Sequence, residues 1–417
     1  MTANRNTLPL DHSIDLGRYL PLVMFTLMAS SSIVVIEPAP FDLLTVLFLG
    51  ILVPMGLRIP AGMGMVLFYA GLFILGNILS FTDVENFPAA LRYMAITIFM
   101  FAIFLLTACL VYHDPERVMP AFWKGYLFAA LLASLTGVLA YFDFIPDAEA
   151  FLKFGRAKGL FKDPNVYAPF LIAPLFYLAA RFIADTGWKK LSAMAGFTVL
   201  VLGTLVGFSR GAIGNLVLAA LIFLTIKFAV KPSLQLFVRY VVYGSGILLL
   251  TVALLIGALQ TDKVSSMLAE RAKLVQSYDV ESGSGRFVVQ KKNLIHGLSD
   301  PLGLGPGEEV LEYFIEPHNV YLYILAENGW LGFFGFVAFI VSGIRLGISW
   351  ILSHHDVSDE YLIIFAVTTS TALQSLLIDS IHWRHLFVLN GVLWGLTLAQ
   401  RRRESATTVV PKNARKQ

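Results

Sequence analysis

Apolar blocks of about 18 to 24 residues recur along almost the whole sequence, separated by short polar segments. A block of this length can cross a hydrocarbon core of roughly 30 Å as a helix. Hydrophobic residues make up 57% of the chain and charged residues 14%, whereas soluble domains carry about 25% charged residues. The sequence therefore predicts an all-α polytopic membrane protein.

The blocks predict about twelve transmembrane helices in a single membrane domain of residues 1–417. Nine spans fall within residues 19–259 and three within residues 318–400, and residues 401–417 form a polar tail. The predicted spans lie near 19–36, 41–57, 61–80, 89–112, 119–142, 164–184, 190–207, 211–229, 236–259, 318–350, 359–378 and 385–400. No convincing small-residue cleavage site follows the first block, so we expect it to be retained as a span.

The tenth block, residues 318–350, is too long for one simple span. The run Glu327-Asn328-Gly329 interrupts its apolar pattern. Non-helical backbone at membrane depth is tolerated where protein or water satisfies its polar groups. We therefore expect a short first helix near the interface, or a re-entrant or broken helix.

Lysine and arginine residues in short loops predict the orientation, because they favour the cytoplasmic side. The tail is basic from Arg401 to Lys416, and an even number of spans puts both termini on that side. The alternate loops should then face the periplasm; they contain residues 37, 83–85, 143–163, 209–210, 260–317 and 379–385. Most of these outer loops are short or acidic.

One outer segment is basic where the topology rule predicts few basic residues. It reads Gly155-Arg156-Ala157-Lys158-Gly159 and continues to Lys162-Asp163-Pro164-Asn165. Asp163 is a predicted helix N-cap, with Pro164 in the first turn. Lys158 and Lys162 could equally be snorkelling residues. For Arg156 we favour binding, because the flanking glycines would let a ligand approach the backbone.

A second basic position is Arg210, which follows Ser209 between two apolar blocks with almost no loop. An arginine so close to hydrocarbon costs a few kcal/mol unless it is paired or solvated, so intramembrane charges are usually functional. The alternative is an arginine that snorkels to the outer headgroups. Arg210 is the strongest single candidate for function.

The longest polar stretch, residues 260–317, predicts a cap of two or three helices over the bundle. It contains Gly285-Arg286-Phe287 and a glycine string at 301–307 that lacks the Gly-Lys-Ser/Thr ending of a phosphate loop, so we interpret the string as a turn. His318 and Asn319 follow at a helix start, where the histidine could act as a base, an acid or a hydrogen-bond donor. A lone histidine is otherwise often structural.

Three arginines and a histidine are thus expected to converge on an outer, membrane-level pocket under the cap. Guanidinium groups bind phosphate in a bidentate way, so a lipid with a diphosphate head is the expected ligand. The outer loops contain no metal-ligand cluster, and Cys109 is the only cysteine, which excludes an intrachain disulfide and a cysteine-rich metal site. No cofactor is expected. The net charge of +3 gives no reason to expect nucleic-acid binding.

The order of these motifs resembles the bacterial O-antigen ligase and polymerase superfamily. The resemblance covers roughly residues 155–345 and rests on the Gly-Arg and Asp-Pro-Asn segment, Phe-Ser-Arg-Gly, Gly-Arg-Phe, Pro-Leu-Gly-Leu-Gly, His-Asn-Val-Tyr and Asn-Gly-Trp-Leu-Gly. It implies an inner-membrane glycosyltransferase of the GT-C type that uses an undecaprenyl-diphosphate-linked glycan in the periplasm. The acceptor would be lipid A-core for a ligase, or a second lipid-linked glycan for a polymerase.

The resemblance also implies roles for individual residues. Arg210 and Arg286 would stabilise the departing diphosphate without a metal ion, and His318 would deprotonate or orient the acceptor hydroxyl in an inverting transfer. Glu309 or Asp163 could share the role of base. The candidate substrate-binding residues are Arg156, Lys158, Asp163, Asn165, Ser209 and Asn319.

Three functions remain open from the sequence. We favour a ligase narrowly over an O-antigen or exopolysaccharide polymerase. A polysaccharide transporter or flippase is the third, because about twelve spans is also common among transporters. Transporters usually carry polar residues near the midplane of paired repeats, whereas the polar residues here lie on one side.

Overall fold

The computed structural model describes residues 16–271, 285–308, 318–354 and 356–409. Most of this part is helical. The helices are α1 Leu20–Ser30, α2 Pro40–Leu52, α3 Gly64–Leu79, α4 Phe87–His113, α5 Pro115–Tyr141, α6 Pro164–Phe170, α7 Ile172–Ala184, α8 Gly187–Val206, α9 Arg210–Val230, α10 Leu234–Leu259, α11 Asp262–Arg271, α12 Arg286–Ser299, α13 Val320–Ser353, α14 Asp359–Gln374 and α15 Arg384–Val409. Short 3₁₀ helices cover Leu16–Arg18, Ser80–Asp83 and Ala148–Phe151, and the strands β1 Leu152–Lys153 and β2 Arg156–Ala157 form an antiparallel hairpin.

The protein is an all-α polytopic membrane protein, as the sequence predicts. In the described ranges, eight helical segments are long and apolar enough to cross a membrane: Gly64–Thr82, Phe87–His113, Pro115–Tyr141, Pro164–Ala184, Gly187–Val206, Arg210–Val230, Leu234–Leu259 and Val320–Ser353. The other four predicted spans coincide with α1, α2, α14 and α15. Each of the twelve predicted spans therefore corresponds to a helix, with α6 and α7 together forming the sixth.

Two helix ends differ from the prediction. Helix α1 ends at Ser30 instead of near residue 36, because the following chain turns to pair with another loop, with the Val34 and Val35 amides donating to Leu160 O at 3.0 Å. Helix α15 continues through the predicted tail to Val409. Arginine is a good helix former, and Arg402 lies over the ring of Tyr112 at 4.5 Å.

Loops predicted to share one side contact each other. On the side of the predicted outer loops, Asp42 at the start of α2 binds Arg384 at the start of α15 through two hydrogen bonds of 2.6 Å. At the opposite end, Arg403 in the tail pairs with Glu116 at 3.0 Å. These contacts agree with the alternation of the spans. We call the first side the cap end and the second the tail end; that the cap end is periplasmic remains a prediction.

Helix α13 is broken at Gly329, in agreement with the expectation for the tenth block. Gly329 has φ 63° and ψ −168°, a conformation that glycine tolerates because it has no Cβ. The glycine string satisfies backbone groups at the break: Leu304 N donates to Ala326 O at 2.9 Å, and Trp330 N donates to Pro301 O at 3.0 Å. The string is thus a turn that forms backbone hydrogen bonds with the two parts of the broken helix.

The cap segment contains two described helices, Asp262–Arg271 and Arg286–Ser299. Helix α11 rests on the end of α5, since Tyr141 donates its hydroxyl proton to Lys263 O at 3.2 Å and Lys263 pairs with Asp143 at 3.0 Å. Helix α12 packs on α13, and α9 packs on α14 in the membrane domain. Residues of α11 and α12 share a cavity with the first turn of α9.

Candidate functional site

The β1–β2 hairpin positions Arg156. Phe154 and Gly155 have φ values of 53° and 68°, and positive φ at both central residues is what a two-residue type I′ hairpin turn requires. The Arg156 side chain is only 5% exposed. It donates from Nε to Gly207 O and from Nη2 to Asn165 Oδ1, both at 2.9 Å.

The flanking glycines do not open the backbone to a ligand, contrary to the expectation for Arg156. A Cβ on Gly155 would lie 2.9 Å from Met267 of α11, and one on Gly159 would lie 2.7 Å from Ala133 O of α5. Both glycines therefore allow close packing of protein against protein. The hairpin itself was not predicted.

Asp163 caps α6, as predicted. Its Oδ1 accepts from Asn165 N at 2.8 Å and its Oδ2 pairs with Lys153 Nζ at 2.7 Å. The Asn165 side chain then joins two segments of the site, because its Oδ1 accepts from both Arg156 and Ser209. The Ser209 contact measures 3.1 Å.

Helix α9 begins directly at Arg210. Ser209 is its N-cap and accepts from Ala212 N at 3.3 Å. The preceding Phe208 has φ 44°, which is uncommon for a bulky residue and lets the chain pass from α8 to α9 almost without a loop. Arg210 is exposed, at the helix end where partial positive charge favours anions.

One cavity of about 440 Å³ brings four of the nine predicted site residues together. Its lining includes Arg156, Asn165, Arg210 and His318. These residues come from the hairpin, α6, α9 and the segment before α13, so the cavity joins two of the three predicted arginines to His318. A cavity of this size lies within the usual range of about 300–1,000 Å³ for small-ligand pockets.

His318 is held by its backbone between the cap and the membrane domain. Gln290 of α12 donates to His318 O at 3.4 Å, and the next-but-one amide, Val320 N, donates to Ser375 O at 2.9 Å. Asn319 caps α13, since its Oδ1 accepts from the Tyr321 and Leu322 amides at 3.1 and 3.2 Å. The histidine thus faces the cavity from a fixed helix start.

Other candidates lie away from the cavity lining that the described residues form. Lys158, Asp163, Ser209 and Asn319 are absent from that lining. The Asp163, Ser209 and Asn319 side chains cap helices, which accounts for their positions. Arg286 begins α12 and is followed by the cavity residue Phe287. The side chain of Arg286 and the whole of Glu309 lie outside the described part of the structure.

Sequence reasoning missed Arg271, the last residue of α11. Its side chain is 16% exposed, lines the cavity and has its nearest described carboxylate, on Glu270, 4.0 Å away. It also missed the polar floor of the cavity, which consists of Asn215, Ser370 and Gln374. Asn215, Ser370 and Gln374 are polar residues inside apolar blocks. Such interruptions are a signal from which the polar floor could have been predicted. No local signal marks Arg271.

The cavity lining is positively charged. Among the described lining residues there are three arginines, Arg156, Arg210 and Arg271, and no carboxylate. The first turn of α9 adds the partial positive charge of its backbone amides. The described residues also contain no group of three or more His, Cys, Asp or Glu placed to bind a metal ion.

His382 lies in the loop between α14 and α15, at the cap end. Its Nε2 is 3.1 Å from Thr97 Oγ1, and its ring lies edge-on to Tyr93 with centroids 4.8 Å apart. Burial, with a further contribution from the charge of Arg384, lowers the pKa of His382 to about 4. This histidine is therefore neutral at physiological pH.

Comparison with known proteins gives one match. Residues 195–337 match a family described as O-antigen ligase. The matched range contains Arg210, the cap and His318, whereas Arg156 and Asn165 precede it. Neither a curated protein nor a solved structure matches the chain significantly. The family match confirms that the chain resembles the bacterial O-antigen ligase and polymerase superfamily, which works on lipid-linked glycans in a membrane.

Proposed function

We propose that this protein is an inner-membrane glycosyltransferase that passes a glycan from undecaprenyl diphosphate to a lipid A-core acceptor in the periplasm. The observation that carries the proposal is the single cavity shared by Arg156, Arg210, Arg271 and His318. Of these lining residues, Arg210, Arg271 and His318 fall within the segment that matches the O-antigen ligase family, and Arg156 precedes it. A positively charged pocket at the end of a membrane bundle suits an anionic head on an apolar tail.

The diphosphate would bind at the first turn of α9. Backbone amides and the helix dipole favour an anion there, and Arg210 adds a guanidinium group at the same point. Arg286 starts the neighbouring cap helix, and its guanidinium group would bind the diphosphate together with that of Arg210. Charged donors that are already oriented stabilise the negative charge that develops on a leaving group.

His318 would accept the proton of the acceptor hydroxyl. The acceptor oxygen then attacks the anomeric carbon, the bond from that carbon to the diphosphate oxygen breaks, and the electron pair leaves with the lipid diphosphate. Attack opposite the leaving group inverts the anomeric carbon. General base catalysis of this kind contributes about 10²–10⁴-fold.

Arg156 would mainly position the site. Its Nε and Nη2 groups bind Gly207 O and Asn165 Oδ1, and Asn165 in turn holds Ser209. Through these contacts the buried guanidinium group holds Gly207 and Ser209, which directly precede α9, against the start of α6. Asp163 and Asn319 act similarly, through helix caps.

The function can be tested with the purified full-length chain in liposomes. The donor is a glycan on undecaprenyl diphosphate, and the acceptor is either lipid A-core or a second lipid-linked unit. Glycan on lipid A-core supports the ligase, and lengthened lipid-linked chains would replace it with a polymerase. Absence of both products, with transport of the lipid-linked glycan instead, would overturn the proposal.

Metal independence is tested in the same assay. We expect transfer to continue after treatment with EDTA, because arginines would neutralise the leaving diphosphate. Loss of transfer with EDTA and its recovery with a divalent ion would contradict the proposed role of the arginines. The His318→Ala variant supplies the inactive control for both measurements.

A further inference from the structure

A buried polar network lies beneath the cavity, between α9 and α14. Asn215, Ser370, Thr371 and Gln374 are all at most 4% exposed. Ser370 donates to Asn215 Oδ1. Asn215 Nδ2 donates to Thr371 Oγ1 at 3.1 Å and to Gln374 Oε1 at 2.6 Å. Polar side chains in a membrane bundle are costly, so a network of four calls for a reason beyond packing.

The network fixes the orientation of the Gln374 amide. Its Oε1 accepts from Asn215 in the second turn of α9, and its Nε2 lies beside Gly211 in the first turn of the same helix. There Nε2 is buried and has no hydrogen-bond partner among the described residues. Buried donors are nearly always satisfied in native proteins. The orientation of Gln374 therefore leaves a donor for something that enters the cavity.

The neighbour of this donor is the first turn of α9. A Cβ on Gly211 would lie 2.9 Å from Gln374 Nε2, and both residues line the cavity. Because Gly211 has no side chain, a ligand can reach the backbone amides of the turn and the Gln374 amide together. Arg210 precedes Gly211 in the same turn.

We propose that Gln374 donates a hydrogen bond from Nε2 to an oxygen of the lipid diphosphate bound at the start of α9. This rests on the proposed function, since the diphosphate is the head of its donor. The ligand oxygen is assigned to a phosphate because the helix start and the three arginines of the lining favour an anion. A neutral amide can contribute at this depth without the cost of another buried charge.

The experiment measures binding of undecaprenyl diphosphate to the purified full-length chain in nanodiscs, with donor KM and kcat measured in parallel. Gln374→Leu removes the donor at similar volume and should weaken binding of the diphosphate lipid about tenfold, in the range of one hydrogen bond to a charged group. Gln374→Glu adds a negative charge and should weaken binding by more. Gln235→Glu makes the same change at the exposed start of α10, at the tail end, and should have no effect.

A second variant covers the case in which Gln374 substitutions prevent folding. Gly211→Ala keeps all four side chains of the network but places a methyl group 2.9 Å from Gln374 Nε2, so the Gln374 amide must shift away from the first turn of α9. We expect it to weaken binding of undecaprenyl diphosphate several-fold while the purified protein keeps its wild-type melting temperature. Unchanged affinity in folded Gln374→Leu or in Gly211→Ala would overturn the inference, since the donor would then be satisfied by water or packing.

Failure of the proposed function has a different signature. If the wild-type chain neither binds undecaprenyl diphosphate nor transfers a glycan, the function fails whatever Gln374 does. If the wild type binds and transfers, and Gln374→Leu matches it, only the role of Gln374 fails. Equal loss for undecaprenyl phosphate and for the diphosphate would place Gln374 on the phosphate that both lipids share.

Discussion

At the tail end of the bundle, basic side chains face carboxylates, whereas the cavity at the cap end is lined by three arginines. Arg403 pairs with Glu116 at 3.0 Å, His354 lies 2.6 Å from Glu404, and Lys227 contacts Asp359. The described cavity lining contains no carboxylate. Charge at the tail end therefore joins helices, while charge in the cavity suits an anionic ligand.

The cap end itself offers an internal reference. Arg384 lies there too, but Asp42 binds it in a bidentate pair whose side chains are mostly buried. The fold can therefore neutralise an arginine at this end where the arginine only joins helices. Arg156 lines the cavity and donates hydrogen bonds to Gly207 O and Asn165 Oδ1.

The largest effect should come from Arg210→Ala. If Arg210 stabilises the leaving diphosphate, kcat should fall about 10²–10³-fold, as when a single oriented donor is removed from other active sites. Arg117→Ala removes an arginine from the tail end, where it pairs with Asp114 at 3.6 Å on the surface. That control should keep its rate within about twofold, because exposed pairs contribute little. Equal rates in the two variants would contradict the inference that arginines of the cavity at the cap end, unlike those at the tail end, take part in the reaction.

Arg271→Gln should have the next largest effect. Arg271 belongs to the cap but shares the cavity with Arg210, so it should bind the anionic head. Its replacement should therefore raise the donor KM about tenfold, with little change in kcat. The control is Lys263→Gln in the same helix, which removes a half-exposed ion pair with Asp143 outside the cavity. A loss of the same size in both variants would mean that Arg271 only supports the cap.

The sequence predicted those parts of the fold that local chemistry determines. Apolar block lengths gave the helices, the topology rule gave the alternation of loops, and Glu327-Asn328-Gly329 gave the break in α13. The hairpin was missed because Phe154 takes a left-handed conformation that its own sequence does not favour. The contact between Gly155 and Met267 of α11 helps to hold it there.

Part of the candidate site was predicted from residues that interrupt the local pattern of the sequence. Arg156, Arg210 and His318 each stand out because a charged or titratable residue occurs where the pattern predicts none. Arg271 ends an ordinary amphipathic helix, and only the packing of α11 on α5 brings it to the cavity. Its role depends on contacts between distant segments, which no single segment encodes.

A smaller effect, on stability alone, should follow from Asp42→Asn. This change removes the charge that faces Arg384 and should lower the free energy of unfolding by about 1–3 kcal/mol, because hydrogen bonds to charged groups are involved. The melting temperature in detergent measures it. Transfer activity per folded molecule should not change, since the pair joins α2 to α15 and lies outside the cavity. A specific loss of kcat at full stability would place this arginine in the site after all.

The smallest effect should be a pH dependence from His382. Its pKa is about 4 in the folded protein and near 6.5 when unfolded, so the unfolded chain binds the proton more readily between these values. Stability should therefore fall as the pH drops from about 6.5 to 4, by roughly 2–4 °C in melting temperature for each kcal/mol lost. The His382→Gln variant should lose less over this interval, and the two proteins should keep a constant difference above pH 7. Parallel curves from pH 8 to 4 would show that burial and the charge of Arg384 do not keep His382 neutral, and that this part of the cap end accepts charge as readily as the tail end does.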